Sequence, residues 1–193
     1  PLLEPDQISA ILRETNAKVL VTLRGFPKTD LPQLAADAVA QAPNVQTVLE
    51  VDLNRYLTPP KSWIVPLIRP KVSVTHAAQV MDFNAELAKQ NRILDFQDAT
   101  EDRVAAYFHT GGTTGMPKVA QHKYSGIVYH GWLGDLMLFE AQDTIICPLP
   151  LFHFFALHAT LMAMITSVAH VVFPPPPARR AEGGFAAFWQ RTR

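Results

Sequence analysis

The sequence predicts an α/β fold, a mostly parallel sheet flanked by helices, and two observations carry that prediction. Helical spacing of apolar residues alternates with short β-branched runs over the first stretch of chain, up to Val51. The strand-like runs also lack a clean polar face, as strands covered by helices on both sides do.

Each element follows from local pattern. Pro5 and Asp6 are helix-start residues, and Ile8, Ile11 and Leu12 follow at helical spacing until the character changes at Lys18. Val19-Leu20-Val21-Thr22-Leu23 reads as a strand that stops at Gly25 and Pro27. Leu31, Leu34, Ala35, Ala38, Val39 and Ala42 mark one face of a second helix, and Val45 to Val51 reads as a second strand. From Asn54 to Pro70 an irregular excursion is expected, rich in proline. There Trp63, Ile64, Leu67 and Ile68 form a short amphipathic turn, with Lys61, Arg69 and Lys71 facing out; it rests on the protein or on a lipid surface. Phe83 and Leu87 suggest a short helix, 95–102 a polar connector, and Val104 to Phe108 a strand. Tyr124 to Glu140 carries Val128, Trp132, Leu133, Leu136 and Met137 at helical spacing, with Gly126, Gly131 and Gly134 expected to allow close packing against the sheet. Thr144 to Cys147 is the next strand, His153 to Thr166 a helix, and Ala169 to Phe173 a strand ended by the prolines 174–177. Phe185, Phe188 and Trp189 begin a further helix.

Composition removes several classes of function. Lys plus Arg and Asp plus Glu are 17 each in 193 residues, and charged residues are only 18%, against about 25% in typical domains. That balance excludes a basic nucleic-acid binder and an acidic disordered tail. The single cysteine, Cys147, excludes an internal disulfide framework and suits a reducing, cytoplasmic setting; within an apolar strand it reads as a buried, inert thiol. His76, His130, His158 and His170 lack metal-ligand spacing, so no metal site is expected on them. Pro1 to Asp6 has neither the basic nor the apolar run of a signal peptide. No charge occurs from Thr144 through Ala178, and Phe154 to Phe173 is long enough to cross a bilayer. The polar residues His158, Thr160, Thr166, Ser167 and His170 inside that window favour a buried helix followed by a buried strand; a membrane or interaction module is the alternative.

The stretch that carries chemistry is Tyr107-Phe108-His109-Thr110-Gly111-Gly112-Thr113-Thr114-Gly115-Met116-Pro117-Lys118. It follows a strand, and its three glycines permit a backbone on which successive N–H groups converge on an anion. Thr110, Thr113 and Thr114 add hydroxyl donors, and Lys118 adds a mobile point charge suited to phosphate oxygens. Neither Asp nor Glu occurs from Val104 through Gln121 to repel a polyphosphate. The spacing is not that of a Walker A loop, because Pro117 separates glycine from lysine and Val119-Ala120-Gln121-His122 continues as a strand. A phosphate cradle between two strands is the reading.

This segment resembles the phosphate-binding signature of the AMP-forming, adenylate-making ligases: acyl-CoA synthetases, peptide-synthetase adenylation domains and luciferases. Every position from Tyr107 to Lys118 fits it. Ile11 to Thr22 is similar to the helix-to-strand unit that precedes the loop in those enzymes. Pro148-Leu149-Pro150-Leu151-Phe152-His153-Phe154-Phe155-Ala156 is similar to a Leu-Pro-Leu-Phe-His-x-x-Gly segment of acyl- and aryl-CoA synthetases, with Ala156 in place of the usual glycine. The resemblance implies a partial N-terminal domain of an acyl-adenylate-forming enzyme. Residues 1–193 are then a fragment of the large AMP-binding domain, cut at both ends, with the C-terminal domain absent. It implies ATP, Mg²⁺ and coenzyme A, and a hydrophobic, fatty carboxylate converted to acyl-AMP and then to the thioester. It makes Thr110, Gly111, Gly112, Thr113, Thr114, Gly115 and Lys118 the ATP phosphate-binding residues and Lys118 and His153 the catalytic ones. Phe152, His153, Phe154 and Phe155 line the acyl pocket, and His122 stands near a Thr-His or Ser-His pair of the family. Amino-acid-activating relatives hold their substrate's amine with an aspartate near this segment, and 152–157 has no acid.

Overall fold

In the computed structural model the described residues are 3–93, 95–97, 99–110, 118–174, 186 and 190. They fall into two compact units: one takes in the chain up to Gln97 together with Lys118, the other Ala99–Thr110 and the chain from Val119 onwards.

The first unit is built on helix α1 (Pro5–Glu14), strand β1 (Val19–Leu23), helix α2 (Leu31–Ala40), strand β2 (Thr47–Val51) and strand β3 (Gln79–Asp82). Glu4 opens α1 with a capping box, its N–H bonded to Gln7 Oε1 at 3.0 Å, and Pro5 fills the first position, where no N–H is needed. The helix ends on Asn16 at φ 50°, with Asn16 N–H to Arg13 O and Ala17 N–H to Leu12 O, which is the Schellman pattern. Asn44 Nδ2 then donates to the carbonyls of Leu12 and Ala17, both at 2.8 Å, and ties the helix end to the start of the next strand. The sheet is parallel throughout, ordered β1-β2-β3, with Val19 opposite Thr47 and Thr47 opposite Gln79. Leu12, Val39, Ala42, Val45 and Val48 form the core between helices and sheet, with Ile8, Ala17, Leu20 and Ala78 packed on it. Strand β3 has no counterpart among the sequence expectations; only its pairing with β2 defines it.

The excursion after β2 holds a 3₁₀ turn (Leu53–Tyr56) and the short helix α3 (Lys61–Ile64), followed by helix α4 (Phe83–Ala88) after β3. One expectation is corrected here. Arg69 does not face out: its guanidinium turns inward onto both carboxylate oxygens of Asp52, at 3.0 and 2.9 Å, because Asp52 sits at the end of β2 beneath the excursion.

Strands β4 (Val104–Thr110) and β5 (Lys118–Lys123) pair, all but Lys118 belonging to the second unit, and helix α5 (Tyr124–Met137) follows directly. Strand β6 (Thr144–Ile146) pairs in parallel with β7 (His170–Val172) across a helical crossover made of a π-helical segment, Ala156–Met162, and helix α6 (Ala163–Ser167). Cys147, Ala156, Ala163 and Met164 are buried in this unit, as expected for Cys147. The glycine expectation is corrected: Gly131 and Gly134 abut the facing helix rather than the sheet. A Cβ on Gly134 would lie 2.0 Å from Ala163 Cβ, and one on Gly131 2.6 Å from Thr166 Oγ1, while Gly126 faces open space. The apolar window Phe154 to Phe173 folds as helix then strand, and among the described residues no helix is long and apolar enough to cross a membrane. The residues Phe185, Phe188 and Trp189 lie outside the described residues.

Candidate functional site

Thr110 is the last residue of β4 and Lys118 the first of β5. The two ends of the predicted phosphate loop therefore spring from paired strands, while Gly111, Gly112, Thr113, Thr114 and Gly115 lie outside the described residues. The first helix after the loop is α5, and its N-terminus is closed by the protein's own carboxylate. Ser125 donates its N–H to Asp102 Oδ1 at 3.0 Å and its hydroxyl to Oδ2 at 2.8 Å, with Lys123 Nζ at 3.7 Å. The Ser125 backbone hydrogen bond, then the Ser125 hydroxyl and Lys123, hold the Asp102 carboxyl below the usual carboxylate range. In a Walker A loop the free helix N-terminus receives the phosphates. Here that positive end already meets Asp102.

His153 stands exposed just before the crossover helix, fixed by its N–H to Pro150 O at 2.9 Å. Its Nδ1 accepts the Phe155 N–H at 3.3 Å, which leaves Nε2 to carry the ring proton. The imidazole thus offers Nε2–H as a donor. The predicted acyl wall is divided by the structure: Phe152 and Phe155 are 63% and 54% exposed, whereas Phe154 joins a ring cluster. Ala156, which stands in place of the glycine usual in the resembled segment, is fully buried.

That cluster is the feature that motif reading missed. His158 is 1% exposed and packs against Phe154 (4.6 Å between ring centroids), His122 (5.0 Å), Phe108 (5.4 Å) and His130 (5.9 Å). Neither ring nitrogen of His158 has a hydrogen-bond partner, an arrangement that costs free energy for the neutral ring and far more for the charged one. Burial first, then the neighbouring His122 and His130, lower its pKa from the usual value. His130 Nδ1 donates to Gly126 O at 2.6 Å within its own helix. Among the described residues no group of His, Cys, Asp or Glu is arranged to hold a metal ion. The sequence holds one trace of the cluster: Phe154 and His158 are four apart, on one face of the predicted helix.

Comparison with known proteins extends these observations to the whole chain. The protein family described as AMP-binding enzyme matches residues 1–193. The marinolic acid–CoA ligase of Pseudoalteromonas sp. (strain SANK 73390) is 28% identical over 201 aligned positions, covering 98% of this chain and 27% of the relative. The 4-coumarate-CoA ligase 2 of Narcissus pseudonarcissus is 28% identical, covering 89% of this chain and 28% of its own length. In fold, the chain matches the solved structure of the anthranilate CoA ligase AuaEII in complex with anthranoyl-AMP with a TM-score of 0.66 at 19% identity, over 92% of this chain and 30% of that one. The chain therefore spans about a quarter of the length of these curated relatives. With a segment of the adenylate-forming signature whose ends lie on paired strands and a family match from end to end, this chain belongs to the AMP-binding enzyme family.

Proposed function

We propose that residues 1–193 form part of the large N-terminal domain of a carboxylate–CoA ligase. The enzyme joins a hydrophobic carboxylate to the α-phosphate of ATP, releases pyrophosphate, and passes the acyl group from acyl-AMP to the thiol of coenzyme A. The C-terminal domain of such an enzyme lies outside these residues. The observation that carries the reading is the loop itself, a Thr- and Gly-rich segment closed by Lys118, slung between β4 and β5. Thr110, Thr113, Thr114, the amides of Gly111, Gly112 and Gly115, and Lys118 bind the β- and γ-phosphates and steady the departing pyrophosphate. Mg²⁺ would be carried on the phosphate oxygens of ATP and would share in neutralising their charge. The Nε2–H of His153 donates to the carboxylate oxygen as it approaches phosphorus, and Phe152, Phe154 and Phe155 border the acyl group.

A fatty acyl chain suits the apolar, uncharged surroundings of 144–178. An aryl acid is the second reading, favoured by the stacking of His122 on Phe154 at 4.8 Å and the edge contact of Phe108 with Phe154 at 6.2 Å, which make flat walls. The two relatives named for 4-coumarate and anthranilate act on such acids. A cytoplasmic setting fits the single, buried Cys147.

The test is Lys118→Ala in the full-length protein. Acid-dependent exchange of pyrophosphate into ATP falls by about 10²–10³-fold, the size expected for one donor to the developing charge, while coenzyme A binding is unchanged. Equal loss of both measurements overturns the phosphate role. The same exchange assay, run on a series of alkyl and aryl acids, separates the two substrate readings.

A further inference from the structure

The excursion between β2 and β3 is chemically one-sided. Between Asp52 and Asp82 there is no acidic residue, and there are four cations, Arg55, Lys61, Arg69 and Lys71. Arg69 is turned inward on Asp52; Arg55, Lys61 and Lys71 are exposed. Between these cations the large apolar side chains are exposed as well: Trp63 at 69%, Leu67 at 85%, Ile68 at 58%, Ile64 at 47%, and Tyr56 at 68%.

This exposure belongs to a segment held in place. The Asp52 carboxylate grips Arg69 in a two-point bond, Val65 is buried, and Ser73 exchanges two hydrogen bonds with the Gln33 side chain at 2.9 and 3.1 Å. The carbonyl oxygen of Pro70 lies 2.7 Å from where a Cβ on Gly25 would be, so only glycine allows the chain to settle this closely on the strand end. The N–H groups of Leu67 and Ile68 donate to Ile64 O and continue the turn of α3, so that Trp63, Ile64, Leu67 and Ile68 follow at helical spacing. A single exposed apolar side chain is ordinary. A fixed platform that presents several together, rimmed by cations and free of anions, has the composition of an interfacial segment, with Trp63 and Tyr56 of the residue types that favour the headgroup level and the Arg55 guanidinium over the Tyr56 ring at 5.7 Å.

We propose that the segment from Arg55 to Lys71 docks on an anionic phospholipid surface, with Trp63, Leu67 and Ile68 entering the headgroup region and Arg55, Lys61 and Lys71 facing lipid phosphates. The absence of any carboxylate in the segment is what selects an anionic surface. The proposal does not rest on the ligase reading; it concerns where the protein sits, and its assay needs no substrate.

The full-length protein is sedimented with vesicles of equal parts phosphatidylcholine and phosphatidylglycerol and with vesicles of phosphatidylcholine alone. It goes down with the first and stays behind with the second, and salt at about 1 M releases it by screening the charge. Two double variants at exposed positions are compared with it, each checked by circular dichroism. Trp63→Ser with Leu67→Ser lowers the partition coefficient about tenfold or more, and Lys61→Gln with Lys71→Gln lowers it by a similar factor on the anionic vesicles alone. In a protein retaining Trp63 as its only tryptophan, emission shifts to the blue when anionic vesicles are added. Equal binding by wild type and both variants overturns the proposal. So does a wild type that stays in the supernatant, and if its Trp63 is also shielded from acrylamide, the patch is covered by protein, either another part of the chain or a second copy.

Discussion

His158 brings a titratable ring into the interior of the second unit with no partner for either nitrogen, and that has a measurable consequence. Burial, then His122 and His130, lower its pKa from the ordinary 6.5. Below about that pH the unfolded chain takes up a proton at this position that the folded chain refuses, so the contribution is complete above it and stability declines as pH falls beneath it. Urea unfolding at neutral pH and at about pH 5 should show that loss, and His158→Leu should flatten it. Parallel pH profiles for wild type and variant would discard this assignment. His158 was illegible as a site in the sequence because its neighbours come from β4, β5 and α5, far apart in the chain. The loop from Tyr107 to Lys118 was legible for the opposite reason: its chemistry is written in consecutive residues. Arg69 falls between the two, since a basic residue in a polar excursion reads as solvated until Asp52 is seen to lie beneath it.

Most elements were legible, and those that were not depend on pairing across the chain. Strand β1 matches its predicted span residue for residue, because a β-branched run bounded by Gly25 and Pro27 is a local signal. Strand β3 spans only Gln79–Asp82 and gains its identity from hydrogen bonds to β2, which no local pattern announces. The glycines of α5 were legible as close-packing residues but not in direction, because the partner helix lies about thirty residues downstream. Their surroundings predict opposite signs for one substitution. At Gly126 nothing lies within 4 Å of a new Cβ, so Gly126→Ala should stabilise by about 0.5–1 kcal/mol through helix propensity. At Gly134 the same methyl would overlap Ala163 Cβ at 2.0 Å and press its Cα at 3.0 Å, so Gly134→Ala should destabilise by about 1–3 kcal/mol despite the same propensity gain. Denaturant midpoints of the two variants decide it; if both shift the same way, α5 does not rest on α6 through Gly134.

At the scale of the whole chain, zero net charge and a low charged fraction exclude a basic nucleic-acid binder, and these 193 residues span about a quarter of the curated relatives' length. Adenylation needs more than a phosphate cradle. The nucleotide must be held so that the carboxylate oxygen, the α-phosphorus and the departing pyrophosphate are in line, and that positioning supplies much of the rate. By resemblance the family holds adenine with a Tyr-Gly-x-Thr-Glu segment, ribose with an aspartate beyond it, and the reacting oxygens with a lysine of the C-terminal domain. Residues 1–193 contain no Tyr-Gly-x-Thr-Glu segment, and Lys118, as the loop lysine, does not stand in for the C-terminal one. A polypeptide of these residues alone should therefore contact ATP through its phosphates only. Inorganic pyrophosphate should displace ATP from it about as well as ATP displaces itself, and no acid should elicit pyrophosphate release, while the full-length protein releases it under the same conditions. Acid-dependent release by the 193-residue polypeptide would show that the loop and the His153 segment suffice for the chemistry, and the division of labour proposed for the larger enzyme would fall with it.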